Sequence, residues 1–152
     1  KGINMGVFEK AVIFGEQMVE LIPQRTPFVF VDAFYGENNT LFQSGFTPDE
    51  GDYFVVDGYL TEPGVIEHMA QSAAASSGWS FRERGEKIPV GFIGAVADFE
   101  LKYLPVCGAE IRTNIRFSGE FGGISLVEAE SFQNGETFAK GKLKIFIDKE
   151  KE

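Results

Sequence analysis

Cysteine and histidine are almost missing: the 152 residues contain one of each, Cys107 and His68. A lone cysteine cannot close an internal disulfide, and one cysteine with one histidine cannot supply a conventional histidine or cysteine metal site, so no metal is expected. A serine-histidine-aspartate or cysteine-histidine triad has only His68 to draw on, inside a helix that reads as buried. Basic residues are also in deficit, 14 against 23 acidic ones, and the net charge of −9 repels phosphate backbones. Nucleic acid is therefore not an expected partner. No run reaches the roughly 18 to 20 apolar residues of a membrane-spanning helix, and no basic stretch with an apolar core opens the sequence. A cytoplasmic protein without a membrane span is expected. A phosphate-binding glycine loop, an internal repeat and a Pro/Gly/Ser-rich linker are absent as well, so one domain should cover residues 1–152. Residues 1–15 form an N-terminal extension that the pattern does not place.

Aromatic and apolar residues are what the chain has in quantity: 16 phenylalanines, and 43% hydrophobic residues in all, enough to bury a sizeable core. Glu16 to Ile22 reads as a short helix stopped by Pro23. Phe28 to Tyr35 has the apolar, β-branched and aromatic character of a buried strand, Gly36 to Asn39 that of a turn, and Thr40 to Phe46 that of the second strand of a hairpin. Thr47 to Glu62 is a polar loop with aromatic insertions at Tyr53, Phe54 and Tyr59. Pro63 suits the first turn of a helix that runs to about Arg84. Along it Val65, Ile66, Met69, Ala70, Ala73, Ala74, Trp79 and Phe81 point in almost every direction, which predicts a helix buried on nearly all sides.

Beyond Gly85 and Pro89 the period changes to two. Ala97 to Tyr103, Ile111 to Phe117 and Ala139 to Ile147 alternate apolar with polar residues, and Ser125 to Phe132 is a less regular strand before the Asn134-Gly135 turn. Such alternation gives each strand one dry and one wet face, as in an antiparallel sheet. The expected architecture is α+β, a single antiparallel sheet curled around one long central helix.

Three separated stretches carry a resemblance. Leu21-Ile22-Pro23-Gln24-Arg25-Thr26-Pro27-Phe28-Val29-Phe30-Val31-Asp32, Gly64-Val65-Ile66-Glu67-His68-Met69-Ala70-Gln71 and Leu104-Pro105-Val106-Cys107-Gly108 follow one another as in β-hydroxyacyl-[acyl carrier protein] dehydratases. The chain resembles that hot-dog-fold family, and especially its aryl polyene pigment branch, from about Glu16 onward. The resemblance implies a homodimer or higher oligomer, or a heterodimer with another hot-dog dehydratase. It also implies an acyl thioester carried on the phosphopantetheine of a carrier protein or on coenzyme A, with no further cofactor. In the family a loop histidine and a helix carboxylate from different protomers work together across the interface. Glu67 matches the carboxylate. The histidine has no match, since the loop reads Val56-Asp57-Gly58-Tyr59-Leu60, and Gln24 stands where a second family histidine is usual.

Each candidate residue has a chemical and a structural reading. Glu67 is either the acid/base of a dehydration, given burial that raises its pKa, or a carboxylate favoured by the dipole in an early helical turn. His68 points about 100° away around the helix, so it serves a second site across an interface or is simply hydrogen-bonded there. Gln71, one turn beyond Glu67, either holds the carboxylate or packs. The amides of Gly64 and Val65 at the helix start are candidate donors to a thioester oxygen. Tyr53 and Tyr59, with Phe54, either line an acyl tunnel or anchor the loop. Arg82, Arg84 and Lys87 offer a local basic patch for an acidic carrier, or merely complement the helix C-terminus. A thioesterase, or a non-catalytic subunit that binds acyl groups beside an active partner, are the alternative functions.

Overall fold

The computed structural model describes residues 8–148, so the N-terminal extension falls partly outside the described residues. In chain order the elements are β1 (Ile13–Phe14), a 3₁₀ helix (Gly15–Glu20), β2 (Ala33–Asn38), β3 (Leu41–Phe46), β4 (Val55–Val56), β5 (Tyr59–Leu60), α1 (Glu62–Glu83), β6 (Val90–Leu101), β7 (Ile111–Phe121), β8 (Ile124–Gln133) and β9 (Glu136–Asp148). Seven strands form one antiparallel sheet in the order β1-β2-β3-β7-β8-β9-β6. The helix α1 lies against its inner face, touching β2, β3, β6, β7 and β8. This is the hot-dog arrangement expected from the sequence.

The period-two pattern decides which face is inside. Ile111, Thr113 and Ile115 of β7 and Ala139, Gly141, Leu143 and Ile145 of β9 are buried, whereas Lys140, Lys142 and Lys144 are exposed. Val65, Met69 and Ala73 of α1 join Phe30, Phe34, Phe138 and Leu143 in a continuous core. Small residues set how closely the helix sits. A Cβ on Gly78 would lie 2.6 Å from the carbonyl oxygen of Leu21, so only glycine lets the helix rest on that backbone.

Several expected boundaries shift for identifiable reasons. The short helix is 3₁₀ and ends at Glu20. The strand expected from Phe28 begins only at Ala33, because Phe28 and Phe30 spend their backbone groups on helix side chains: Phe30 N donates to Gln71 Oε1 at 2.7 Å, Gln71 Nε2 donates to Phe28 O at 2.8 Å, and Phe30 O is bonded to His68. The strand then runs through Gly36 to Asn38, and the turn is Asn39-Thr40, both at positive φ, as a two-residue hairpin requires. The polar loop contains a small hairpin, β4 and β5, turning at Asp57-Gly58 with φ of 52° and 83°. An Asp-Gly pair between Val56 and Tyr59 is a hairpin signal in its own right. Lastly, β6 reaches back to Val90, and a bulge at Asp98, with φ 50°, takes Ala97 off the face that holds Phe99.

The two edges of the sheet differ. One is the two-residue β1. The other is the twelve-residue β6, paired with β9 on one side and with nothing among the described residues on the other, and its Gly94, Ala95, Val96 and Ala97 are exposed.

Candidate active site

Glu67 lies in the second turn of α1, not the first, because the helix starts at Glu62. Capping therefore does not explain it. Its side chain is partly buried and lines a cavity of about 560 Å³ beside the helix. Ala70, Ala74 and Gly78 continue the same wall, three, seven and eleven residues further on, so one stripe of the helix faces the cavity. From Glu67 to Gly78 this stripe is roughly 16 Å long at the helical rise per residue, and its side chains are too small to fill the space. The opposite walls come from Leu21 to Arg25, from Ile88, Pro89 and Gly91 where β6 begins, and from Phe117, Ser125 and Ile145 of the sheet. The lining is mainly apolar, with the carboxylates of Glu67 and Glu20 among it.

That carboxylate is held on one side. Gln71 Nε2 donates to Glu67 Oε1 at 3.0 Å, while the same amide group is bonded to Phe28 O and Phe30 N. Gln71 is fully buried, so these three bonds fix its orientation and, through it, that of Glu67. Glu67 Oε2 receives no hydrogen bond among the described residues. A carboxylate anchored by one oxygen and open at the other suits proton transfer.

His68 does not share the cavity. Its ring is completely buried on the sheet side of the helix, stacked 6.0 Å from Phe46. Since Phe30 O can only accept, His68 Nδ1–H donates to it at 2.7 Å, and Nε2 accepts from Thr113 Oγ1 at 2.7 Å; Thr113 in turn accepts from Ser131 at 2.6 Å. Burial pushes the imidazole down to about 4, only partly opposed by the Phe30 bond, so the ring is neutral at pH 7. A neutral histidine with both nitrogens occupied inside its own chain is not presented to a neighbouring subunit, and the expectation of a second site there is corrected.

The other candidates divide. The Val65 amide is committed to Thr61 O at 3.0 Å, so it is not a free oxyanion donor. Gly64 is buried under Leu60 and Phe54, where an added Cβ would come within 2.4 Å of Leu60, and is not among the cavity-lining residues. The tyrosines also lie elsewhere. Tyr53 is exposed and packs against Phe28 and Phe54, and Tyr59 lines a separate groove with Tyr103, Val106 and Gln133. Neither forms a wall of the Glu67 cavity. Arg82 pairs with Glu20, a cavity-lining residue, at 3.1 Å, and Arg84 pairs with Glu86 at 3.4 Å and lies over Phe81. These pairs are exposed, as is Lys87, so the basic group flanks the end of the cavity remote from Glu67.

Two features of the site were missed in the sequence. One is Gln24, a cavity-lining residue whose side-chain oxygen is sealed from the space and takes no hydrogen bond among the described residues. The other is Ser77 with Gly78, whose small size makes room. Gln24 was visible as an unusual residue between Pro23 and Arg25, but nothing local indicated that it lines Glu67's cavity.

No functionally curated protein matches the chain. Among solved structures, the dehydratase heterocomplex ApeI:P from Xenorhabdus doucetiae is similar, with a TM-score of 0.78 at 18% identity, covering 89% of this chain and 93% of that one. The smu.793 protein of Streptococcus mutans, solved with acetyl CoA, has a TM-score of 0.63 at 10% identity over 82% of this chain and 93% of that one. A hypothetical thioesterase of Streptococcus pneumoniae, solved with coenzyme A, has a TM-score of 0.58 at 7% identity over 76% and 84%. At such identities the likeness speaks for the fold. The family is shown separately: residues 16–152 match the ApeP-like family, described as ApeP dehydratase, and the chain belongs to it.

Proposed function

We propose that this protein binds a β-hydroxyacyl thioester in the cavity beside α1 and that Glu67 serves its dehydration as the acid/base. The observation that carries the reading is the Glu67 carboxylate, anchored by Gln71 near one end of a long, mainly apolar trough, in a chain of the ApeP-like dehydratase family. In the step, the free Glu67 oxygen takes the proton on the carbon next to the thioester carbonyl. That electron pair forms the new double bond, the bond to the β-oxygen breaks, and the departing hydroxyl takes the proton from Glu67 to leave as water. The thioester arrives on a carrier protein or coenzyme A, so no other cofactor is required. The Arg82, Arg84 and Lys87 group is the docking point for an acidic carrier, a local cluster of cations in a chain whose net charge is −9.

The cavity has no histidine, and the beginning of the unpaired β6 edge forms part of its wall. We therefore place a second hot-dog subunit along β6, as another copy or as a dehydratase partner of the kind named in the ApeI:P heterocomplex. Such a subunit would close the cavity and bring the loop histidine for which this chain has no match. The deciding experiment supplies a β-hydroxyacyl carrier substrate to the protein alone and to the protein with an active dehydratase subunit, following enoyl product and free thiol together. Enoyl formation that Glu67→Gln abolishes supports dehydration. Free thiol without enoyl product would make the protein a thioesterase, and indifference to Glu67→Gln in both settings would leave it a non-catalytic subunit.

A further inference from the structure

Arg25 differs from the other cations around the cavity. Arg82 and Arg84 each pair with a carboxylate, whereas Arg25 lines the cavity and makes no ion pair among the described residues. Its guanidinium is nevertheless held in place. Nη1 donates to Ile22 O and to Gln24 O, both at 2.8 Å, which engages both hydrogens of that nitrogen. Nε and Nη2 bond to no described group. The edge left open is therefore the pair of parallel N–H groups that grips two phosphate oxygens at once.

The side chain is also aimed along the trough. It reaches back to Ile22, next to the Leu21 carbonyl on which Gly78 rests, and so away from Phe28, whose carbonyl shares Gln71 with Glu67. An anchored carboxylate thus stands toward one end and an oriented, unpaired cation toward the other. The wall between them has polar groups of its own: Ser77 and Ser125 line it, and neither hydroxyl is hydrogen-bonded to a described residue.

A hydrocarbon chain lying in this space would leave both hydroxyls dry and the guanidinium unpaired. A phosphopantetheine arm supplies what each lacks, two amides for the hydroxyls and a phosphate for the cation. Its length fits as well, since the arm carries about 13 bonds from sulfur to phosphorus and extends to roughly 15 Å, against a stripe of roughly 16 Å from Glu67 to Gly78. We propose that the trough holds the phosphopantetheine arm of the thioester rather than its acyl chain, with the phosphate on the open edge of Arg25 and the sulfur beside Glu67. This rests on the acyl-thioester reading above. The acyl group then extends past Glu67 and out of the trough, so its length does not enter the fit.

The test measures binding to the full chain by calorimetry of butyryl-phosphopantetheine and of butyryl-pantetheine, which lacks the phosphate. Arg25→Gln and Arg25→Met are the variants, and an unfolding midpoint shows that each remains folded. The wild type should prefer the phosphorylated ligand by about tenfold, the worth of one two-pronged charged contact. Both variants should lose that preference by weakening the phosphorylated ligand alone. Butyryl-coenzyme A and a butyryl-loaded carrier protein present the same arm and should also weaken with Arg25→Gln, and the tighter of the two in the wild type identifies the source. Hexanoyl- and octanoyl-phosphopantetheine should bind as the butyryl form does. Equal binding with and without the phosphate, a preference unchanged in the variants, or affinity that rises about fourfold with each added methylene overturns the assignment. A wild type that binds none of these thioesters overturns the acyl-thioester reading itself, a result seen before any substitution is made.

Discussion

His68 gives the sharpest test of the core, because its protonation is linked to folding with a known sign. In the folded chain burial holds the ring at about 4, below its ordinary value of 6.5. As pH falls below 6.5 the unfolded chain binds a proton that the folded chain refuses. Stability from this residue is therefore complete above pH 6.5 and is lost toward pH 4, by about 1.4 kcal/mol per pH unit and about 3 kcal/mol in all. Asp32 works in the opposite direction. Burial raises its carboxyl from 3.8 to about 6, against a hydrogen bond from Thr47 N at 3.1 Å, so the folded chain takes up this proton first. Its contribution rises as pH falls from 6 to 3.8, by about 2 kcal/mol allowing for its partial exposure to solvent. The two slopes overlap between pH 4 and 6 and largely cancel. Urea unfolding at half-unit pH intervals on the wild type, His68→Asn and Asp32→Asn separates them. Relative to wild type, His68→Asn should gain stability on acidification from 6.5 to 4, although it is about 2 kcal/mol less stable at pH 7 through lost packing and hydrogen bonds. Asp32→Asn should be the more stable at pH 7 and lose that advantage below pH 6. If the difference between wild type and His68→Asn were constant across the range, the neutral, enclosed imidazole described here would be wrong.

Three further outcomes follow from the packing and the site. Gln71→Leu leaves the buried Phe30 amide without an acceptor and releases Glu67, so it should cost about 2 kcal/mol or more in chemical denaturation and lower enoyl formation beyond what the stability loss explains. Gly78→Ala pits a helix-propensity gain of about 1 kcal/mol against a Cβ 2.6 Å from the backbone oxygen of Leu21. The backbone cannot swing aside, so the variant should be net less stable by about 1 kcal/mol; a stabilised variant would mean the helix does not sit that close. Val96→Lys places a charge on the exposed β6 edge and should shift the protein toward monomer in sedimentation velocity while leaving its helical signal unchanged. Equal association in the two proteins would remove β6 as the joining edge.

The candidate site was partly legible from the chain alone. Glu67 and Gln71 share a helix face by their spacing of four, and the observed bond joins them. Tyr53 and Tyr59 were attractive tunnel residues only because they are aromatic and precede the helix. The Asp57-Gly58 turn folds that loop into its own hairpin and leaves both rings outside the cavity. Val65 illustrates a different limit. Its amide is free in a helix that begins at Pro63, but with the start at Glu62 the Thr61 carbonyl accepts the first i to i−4 bond from Val65.

By itself the sequence determined the layers: period-two alternation gives strands with one dry face, and an all-round apolar segment from Pro63 must be enclosed, so a sheet has to curl around one helix. The family resemblance followed from motifs in that order. Tertiary structure alone decided that neighbouring residues serve different ends, with Glu67 in a cavity and His68 sealed against Thr113, and that Gln24, distant in sequence, lines the same cavity as Glu67. The reason is that local periodicity assigns a residue to a face of its own element. What that face meets is set by the long-range packing of Leu21 to Phe30 against the helix.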